Sequence, residues 1–180
     1  MKKVLIILAV LVVLFGIAFI YLNERNRTLS PFGEVHFTKE NVKADIFYSR
    51  PSVKGRLIFG SEEEEALVPY GKYWRLGANE STEMEITTDF EINGTKLEAG
   101  RYKIYAISGP DNFDIRFSKD LGQWGYYEPD YNLDVAKLTA ETKNLPTAVE
   151  QFTISMESTE EGANIYCDFD KTRIIIPLNF

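Results

Sequence analysis

The chain has 180 residues, 44% of them hydrophobic and 13% aromatic, with a formal net charge of −7; this excludes a disordered segment and suits one domain of ordinary size. The first 22 residues hold Lys2 and Lys3 and no acid, so the remainder is more acidic still. Such a surface repels nucleic acid, which is excluded as a partner, and anionic lipid headgroups.

Val4 to Leu22 are nineteen consecutive residues without a charge. As a helix they extend about 28 Å, close to the ~30 Å hydrocarbon core of a bilayer. Lys2 and Lys3 precede the run, whereas Asn23-Glu24-Arg25-Asn26-Arg27 is of mixed charge. The positive-inside bias therefore places the N-terminus in the cytoplasm. Residues 1–22 read as a signal anchor that crosses the cytoplasmic (inner) membrane once, with the domain in the periplasm. The competing reading is a signal peptide cleaved near Ala18, where Gly16-Ile17-Ala18 has suitable small residues, releasing the domain to the periplasm. The apolar run continues to Leu22 and exceeds the usual length of such peptides, which favours the anchor.

Residues 23–41 are polar, contain Pro31 and Gly33 and lack a sustained period; they read as a juxtamembrane linker ahead of a domain at 42–180. Val42, Ala44, Ile46 and Tyr48 then alternate with Lys43, Asp45 and Phe47 as a strand, which Arg50-Pro51 ends. Ser61 and Glu64 form a capping box over one helical turn. Met84, Ile86, Thr88 and Phe90 alternate up to Asn93-Gly94, a primed hairpin turn, and Arg101–Ile107 form a return strand. Further strands are predicted around Phe113–Phe117, Leu133–Ala140, Val149–Met156, Ile165–Phe169 and Arg173–Leu178. No segment beyond the apolar run holds helical spacing for three turns. The expected fold is mainly β, an antiparallel sandwich or jelly-roll-like domain behind one transmembrane helix.

Two stretches, Tyr48-Ser49-Arg50-Pro51-Ser52-Val53-Lys54-Gly55-Arg56 and Val68-Pro69-Tyr70-Gly71-Lys72-Tyr73-Trp74-Arg75-Leu76-Gly77-Ala78-Asn79-Glu80, together with Gly94-Thr95-Lys96-Leu97-Glu98-Ala99-Gly100-Arg101-Tyr102 and Gln123-Trp124-Gly125, resemble the bacterial family known as domain of unknown function 2911 (DUF2911). The resemblance runs from about Ala44 to Pro177. It implies a fold and export from the cytosol, since members usually carry an N-terminal signal, and it implies no chemistry.

Arg50, Lys54, Arg56 and Arg75 are basic residues grouped in an acidic chain, and guanidinium forks suit carboxylate or phosphate. With Ser49, Asn79, Glu80 and Thr82 they are candidates to line a polar pocket for an anionic small molecule or a sugar. The competing role is internal, with Arg75 or Arg50 pairing Glu80 to fix a long loop. Trp74 and Trp124, among neighbouring tyrosines, suit stacking on a sugar, docking of an envelope protein, or packing in the core.

Catalysis has less support. The only histidine, His36, lies near the membrane segment, so a serine-type triad lacks its base, and no metal or cofactor site is indicated. Cys167 is the only cysteine; it allows no internal disulfide and reads as a buried strand residue. A hydrolase acting on envelope carbohydrate or ester bonds would rely on a carboxylate, Glu80, with Asp120 or Glu128 as a partner and the arginines positioning the substrate. The reading favoured by the residues is a membrane-tethered binding or interaction module of the cell envelope, and an enzyme is the less favoured alternative.

Overall fold

A computed structural model describes residues 2–180. Helix α1 (Lys2–Leu29) has no buried residue, and its apolar side chains from Val4 to Leu22 point outward all around. A helix apolar on every face needs an apolar environment. α1 is long and apolar enough to cross a membrane, as an anchor or a signal sequence.

Where a linker was expected over 23–41, the chain is regular. α1 continues to Leu29, because nothing between Asn23 and Leu29 breaks a helix. Arg27 lies in its last turn, where the dipole favours a cation. Pro31 ends it by disfavouring helical backbone at Ser30. Strand β1 (Phe32–Lys39) follows at once and pairs along its whole length with β2 (Val42–Ser49). As an edge strand β1 buries only Phe37, so its alternation is too faint to stand out in the sequence.

Ten further strands complete two sheets, most of them in one antiparallel sheet of ten. These are β4 (Val68–Pro69), which pairs in parallel with β3 (Phe59–Gly60) apart from the main sheet, and β5 (Tyr73–Trp74), β6 (Thr82–Ile86), β7 (Phe90–Ile92), β8 (Thr95–Leu97), β9 (Gly100–Ser108), β10 (Phe113–Ser118), β11 (Asp134–Ser158) and β12 (Gly162–Asn179). The main order is β1-β2-β6-β9-β10-β11-β12-β7-β8, with β5 on β9. The expected mainly β, antiparallel architecture is thus observed. Asn93 and Gly94, both at positive φ (46° and 78°), turn β7 into β8 as a primed hairpin requires. The alternation from Met84 to Phe90 is broken between Ile86 and Phe90, and β9 returns beside β6.

The four segments expected after residue 133 merge into two long strands with a corner. The β11–β12 register slips between Asn144 and Val149 and again before Thr153, opposite Asp170, whose φ is +51°. The corner returns the end of β12 to its start, so that the Phe180 amide donates to the Glu161 carbonyl at 2.9 Å. Through β11 the sheet folds over itself, and aromatic rings fill the space between. Phe152 of β11 lies 5.8 Å from Tyr48 and 5.3 Å from Trp74, and the Ile154 amide donates to the Tyr48 hydroxyl at 3.0 Å. Cys167 is buried in this core, and burial pushes its thiol well above the usual range.

His36 lies on β1 and is solvent-exposed, its Nδ1 2.7 Å from Asp45 and its Nε2 3.2 Å from Glu34. The hydrogen bond to Asp45 raises its pKa above 6.5. The stabilisation this pair supplies is complete below the unfolded-state pKa and is lost as pH rises through the folded-state value. An NMR titration of this single imidazole is expected to give a midpoint above 6.5, lowered in Asp45→Asn; an unchanged midpoint in that variant would remove Asp45 as the cause.

A candidate binding groove at the foot of the domain

A groove of about 590 Å³ opens where the last turn of α1 meets the domain. Asn26 and Leu29 of α1 form part of its wall, and its charged lining consists of Lys54, Arg56 and Arg75, with no acid. In a chain with 27 acidic and 20 basic residues, a wholly cationic lining departs from the average surface.

The turn after β2 presents the first two cations. Lys54 and Gly55 both have positive φ (48° and 67°), which reverses the chain so that the Arg56 amide reaches the Val53 carbonyl at 3.0 Å. Glu150 on β11 accepts from the Lys54 amide at 2.9 Å and holds the turn against the sheet. The Arg56 guanidinium donates to the carbonyls of Val53 and Ser52, so its position is fixed and its charge remains uncompensated. The Lys54 ammonium has no hydrogen-bond partner among the described residues.

Arg75 follows β5 directly. Its guanidinium is partly buried, reaches only the Asn79 carbonyl at a long 3.4 Å, and lies 6.0 Å from the Tyr126 ring. No carboxylate pairs with it among the described residues, and burial lowers its pKa. Gly125 makes room for its stem: a Cβ there would lie 2.8 Å from the Arg75 Cδ and 3.0 Å from the Asn79 carbonyl oxygen. The Gly125 amide donates to that same carbonyl at 3.0 Å, which gives the Gln123-Trp124-Gly125 triplet a physical role.

Between Arg75 and Glu80 the backbone is strained. Leu76, Gly77 and Asn79 have φ of 51°, 148° and 56°, conformations that cost non-glycine residues energy and persist only where surroundings enforce them. Here the Thr82 hydroxyl donates to the Leu76 carbonyl at 2.6 Å and the Asn79 amide nitrogen to the Ser30 carbonyl at 3.2 Å. A Cβ at Gly77 would meet the Ser49 carbonyl oxygen at 2.7 Å.

The structure therefore brings together Lys54, Arg56, Trp74, Arg75, Asn79 and Trp124 along the groove. Ser49, Arg50, Glu80 and Thr82 stand behind or beside it. Arg50 donates to the Phe152 carbonyl at 3.3 Å and to the Thr153 hydroxyl at 3.1 Å, so it ties β2 to β11. The expected internal pair of Glu80 with Arg75 or Arg50 does not form. Glu80 is bound instead by Arg27 of α1 at 2.7 Å, because the unbroken helix delivers that guanidinium to the domain. Trp74 is buried, whereas Trp124 is 38% exposed and bridges Glu80 through its backbone.

The sequence gives little sign of two contributors. Asn26 and Leu29 lie in a stretch that reads as linker. Tyr73 also lines the groove; its hydroxyl is buried without a hydrogen-bond partner, and burial pushes its pKa up to about 12.

The carboxylates considered for hydrolysis do not face one another across the groove, since none of them lines it. Asp120 is buried and bound by Lys103 at 3.5 Å, by the Gln123 side chain at 2.6 Å and by the Asp130 amide at 3.0 Å. Glu128 accepts from the Tyr131 hydroxyl at 2.7 Å.

Among known families, residues 30–178 match the one described as "Protein of unknown function (DUF2911)". No curated protein and no solved structure matches the chain.

Proposed function

The chain belongs to the DUF2911 family, and from the groove that its family segment shares with α1 we propose a binding module, tethered by α1 to the outer face of a bacterial cytoplasmic membrane, whose ligand is a small anion bearing phosphate or carboxylate. The carrying observation is the lining: three cations, no acid, and an Arg75 guanidinium without a counter-ion. The groove's volume falls within the range of small-molecule sites. A partly desolvated arginine fork gives a stronger and more directional contact to an oxyanion than an exposed lysine does. Trp124, exposed at the rim, offers a flat ring to a sugar attached to such an anion.

A hydrolytic role is the weaker reading, because Glu80 is ion-paired to Arg27 outside the lining. The tether rests on the length and apolarity of α1, and its orientation on Lys2 and Lys3 ahead of the span.

Calorimetric titration of the full chain in detergent with glycerol 3-phosphate, inorganic phosphate and an uncharged disaccharide tests the ligand class. The two phosphates are expected to bind and the disaccharide to bind more weakly. Arg75→Gln is expected to weaken phosphate binding by about tenfold or more, the worth of a hydrogen bond to a charged group. Absence of phosphate binding, or equal affinity in Arg75→Gln, would reject the groove as an anion site.

A further inference from the structure

We propose that the groove takes its phosphate from a lipid: the headgroup of a phosphate-monoester lipid standing in the same membrane that α1 spans. This rests on the reading of the groove as an anion site and adds where the anion comes from.

The argument is one of height. The uncharged run ends at Leu22, and α1 continues without a break to Leu29. Asn26 and Leu29, both in the groove wall, lie four and seven residues beyond, or about 6 and 10 Å further along the helix. A bilayer of about 40–45 Å with a ~30 Å core leaves roughly 5–8 Å of headgroup on each side. The groove wall therefore begins within the headgroup layer, at the level of lipid phosphates.

The domain is held at that height. Arg27 binds Glu80 at 2.7 Å, the Asn79 side chain binds the Ser30 carbonyl at 3.2 Å, and the Arg50 amide donates to the Pro31 carbonyl at 2.9 Å. A ligand free in solution gains nothing from this placement. A lipid in the same leaflet gains a high effective concentration beside Lys54 and Arg75. Leu29, 40% exposed at the wall, offers an apolar contact on the side from which a lipid would enter.

The acidity of the domain as a whole argues against its lying on an anionic surface, but that repulsion is screened over about 8 Å at physiological salt. Within the groove the cations are in contact range and govern the outcome. The acidic exterior would then keep the domain upright on α1 while one headgroup is held at its foot.

The test compares one headgroup in two settings. The full chain is reconstituted in phosphatidylcholine nanodiscs, and binding is read from Trp124 emission and the thermal midpoint. Phosphatidic acid is included in the bilayer in one arm, and glycerol 3-phosphate is added to the solution in the other. Phosphatidic acid is expected to saturate the groove at a total concentration at least about tenfold below that needed for glycerol 3-phosphate. Lys54→Gln, at an exposed turn, and Arg75→Gln are each expected to remove most of that difference. Equal concentrations in the two arms would overturn the lipid source and leave the anion site standing. A response to neither probe would overturn both, and a lipid response unchanged in both variants would place the lipid contact elsewhere on the protein.

Discussion

Replacing Trp74 with alanine is expected to cost about 3–5 kcal/mol of stability, the range seen when a large aromatic side chain is deleted from a packed core. Trp74 is only 6% exposed. Its ring lies 5.4 Å from Phe59, 6.2 Å from Phe113, 5.3 Å from Phe152 and 6.4 Å from Phe169. These partners come from β3, β10, β11 and β12, so one cavity would loosen strands on both sides of the fold. Denaturant unfolding of the full chain in detergent, followed by circular dichroism, measures the loss. A loss below about 1 kcal/mol would mean that the ring is not part of the core. Because Trp74 also borders the groove, lost ligand binding in this variant would report unfolding as readily as lost contact. Arg75→Gln is the cleaner probe of the site.

Asp120→Ala is the second large effect, expected at about 3–5 kcal/mol because it leaves a buried charge without its partner. The Lys103 side chain is fully buried on β9, and its ammonium pairs with Asp120 at 3.5 Å. Its cross-strand neighbour Glu83 is already held by Arg101 at 2.7 Å, by the Gly122 amide at 2.9 Å and by the Ser81 hydroxyl at 3.2 Å. A Lys103→Met, Asp120→Leu double variant removes both charges and is expected to regain much of the loss, since apolar replacements of buried pairs are often neutral. If the single and double variants are equally unstable, the pair's charges are not what makes Asp120 matter. Asp120 also receives Gln123 and the Asp130 amide, so the same substitution is expected to loosen the loop that carries Trp124.

The class of fold was legible because several strands, β2 and β10 among them, bury alternate residues. In β10, Phe113, Ile115 and Phe117 point inward while Asp114 and Arg116 do not, and that period survives in the sequence alone. The edge strand β1 was not legible, since one buried residue in eight leaves no period. The corner in β11 and β12 was read as four strands, because alternation reports which face is buried and not whether the backbone continues.

The candidate site was legible as a set of residue types and only in part as a place. Lys54, Arg56 and Arg75 stood out by charge and meet at the groove. Arg50 has the same chemistry, but its guanidinium turns away to the carbonyl of Phe152, a choice made by packing across the two layers. The partner of Glu80 was illegible because Arg27 lies 53 positions away, in a segment whose helical continuation no apolar period announced.

Only Ser30 and Pro31 separate α1 from β1, and their carbonyls are anchored to Asn79 and Arg50 respectively. A hinge so short and so clamped has almost no swivel. A domain on such a hinge does not sweep around its helix as a bead on a string does. The groove is carried at one fixed height and bearing on its own post, so its mouth keeps a constant distance from the end of the apolar run.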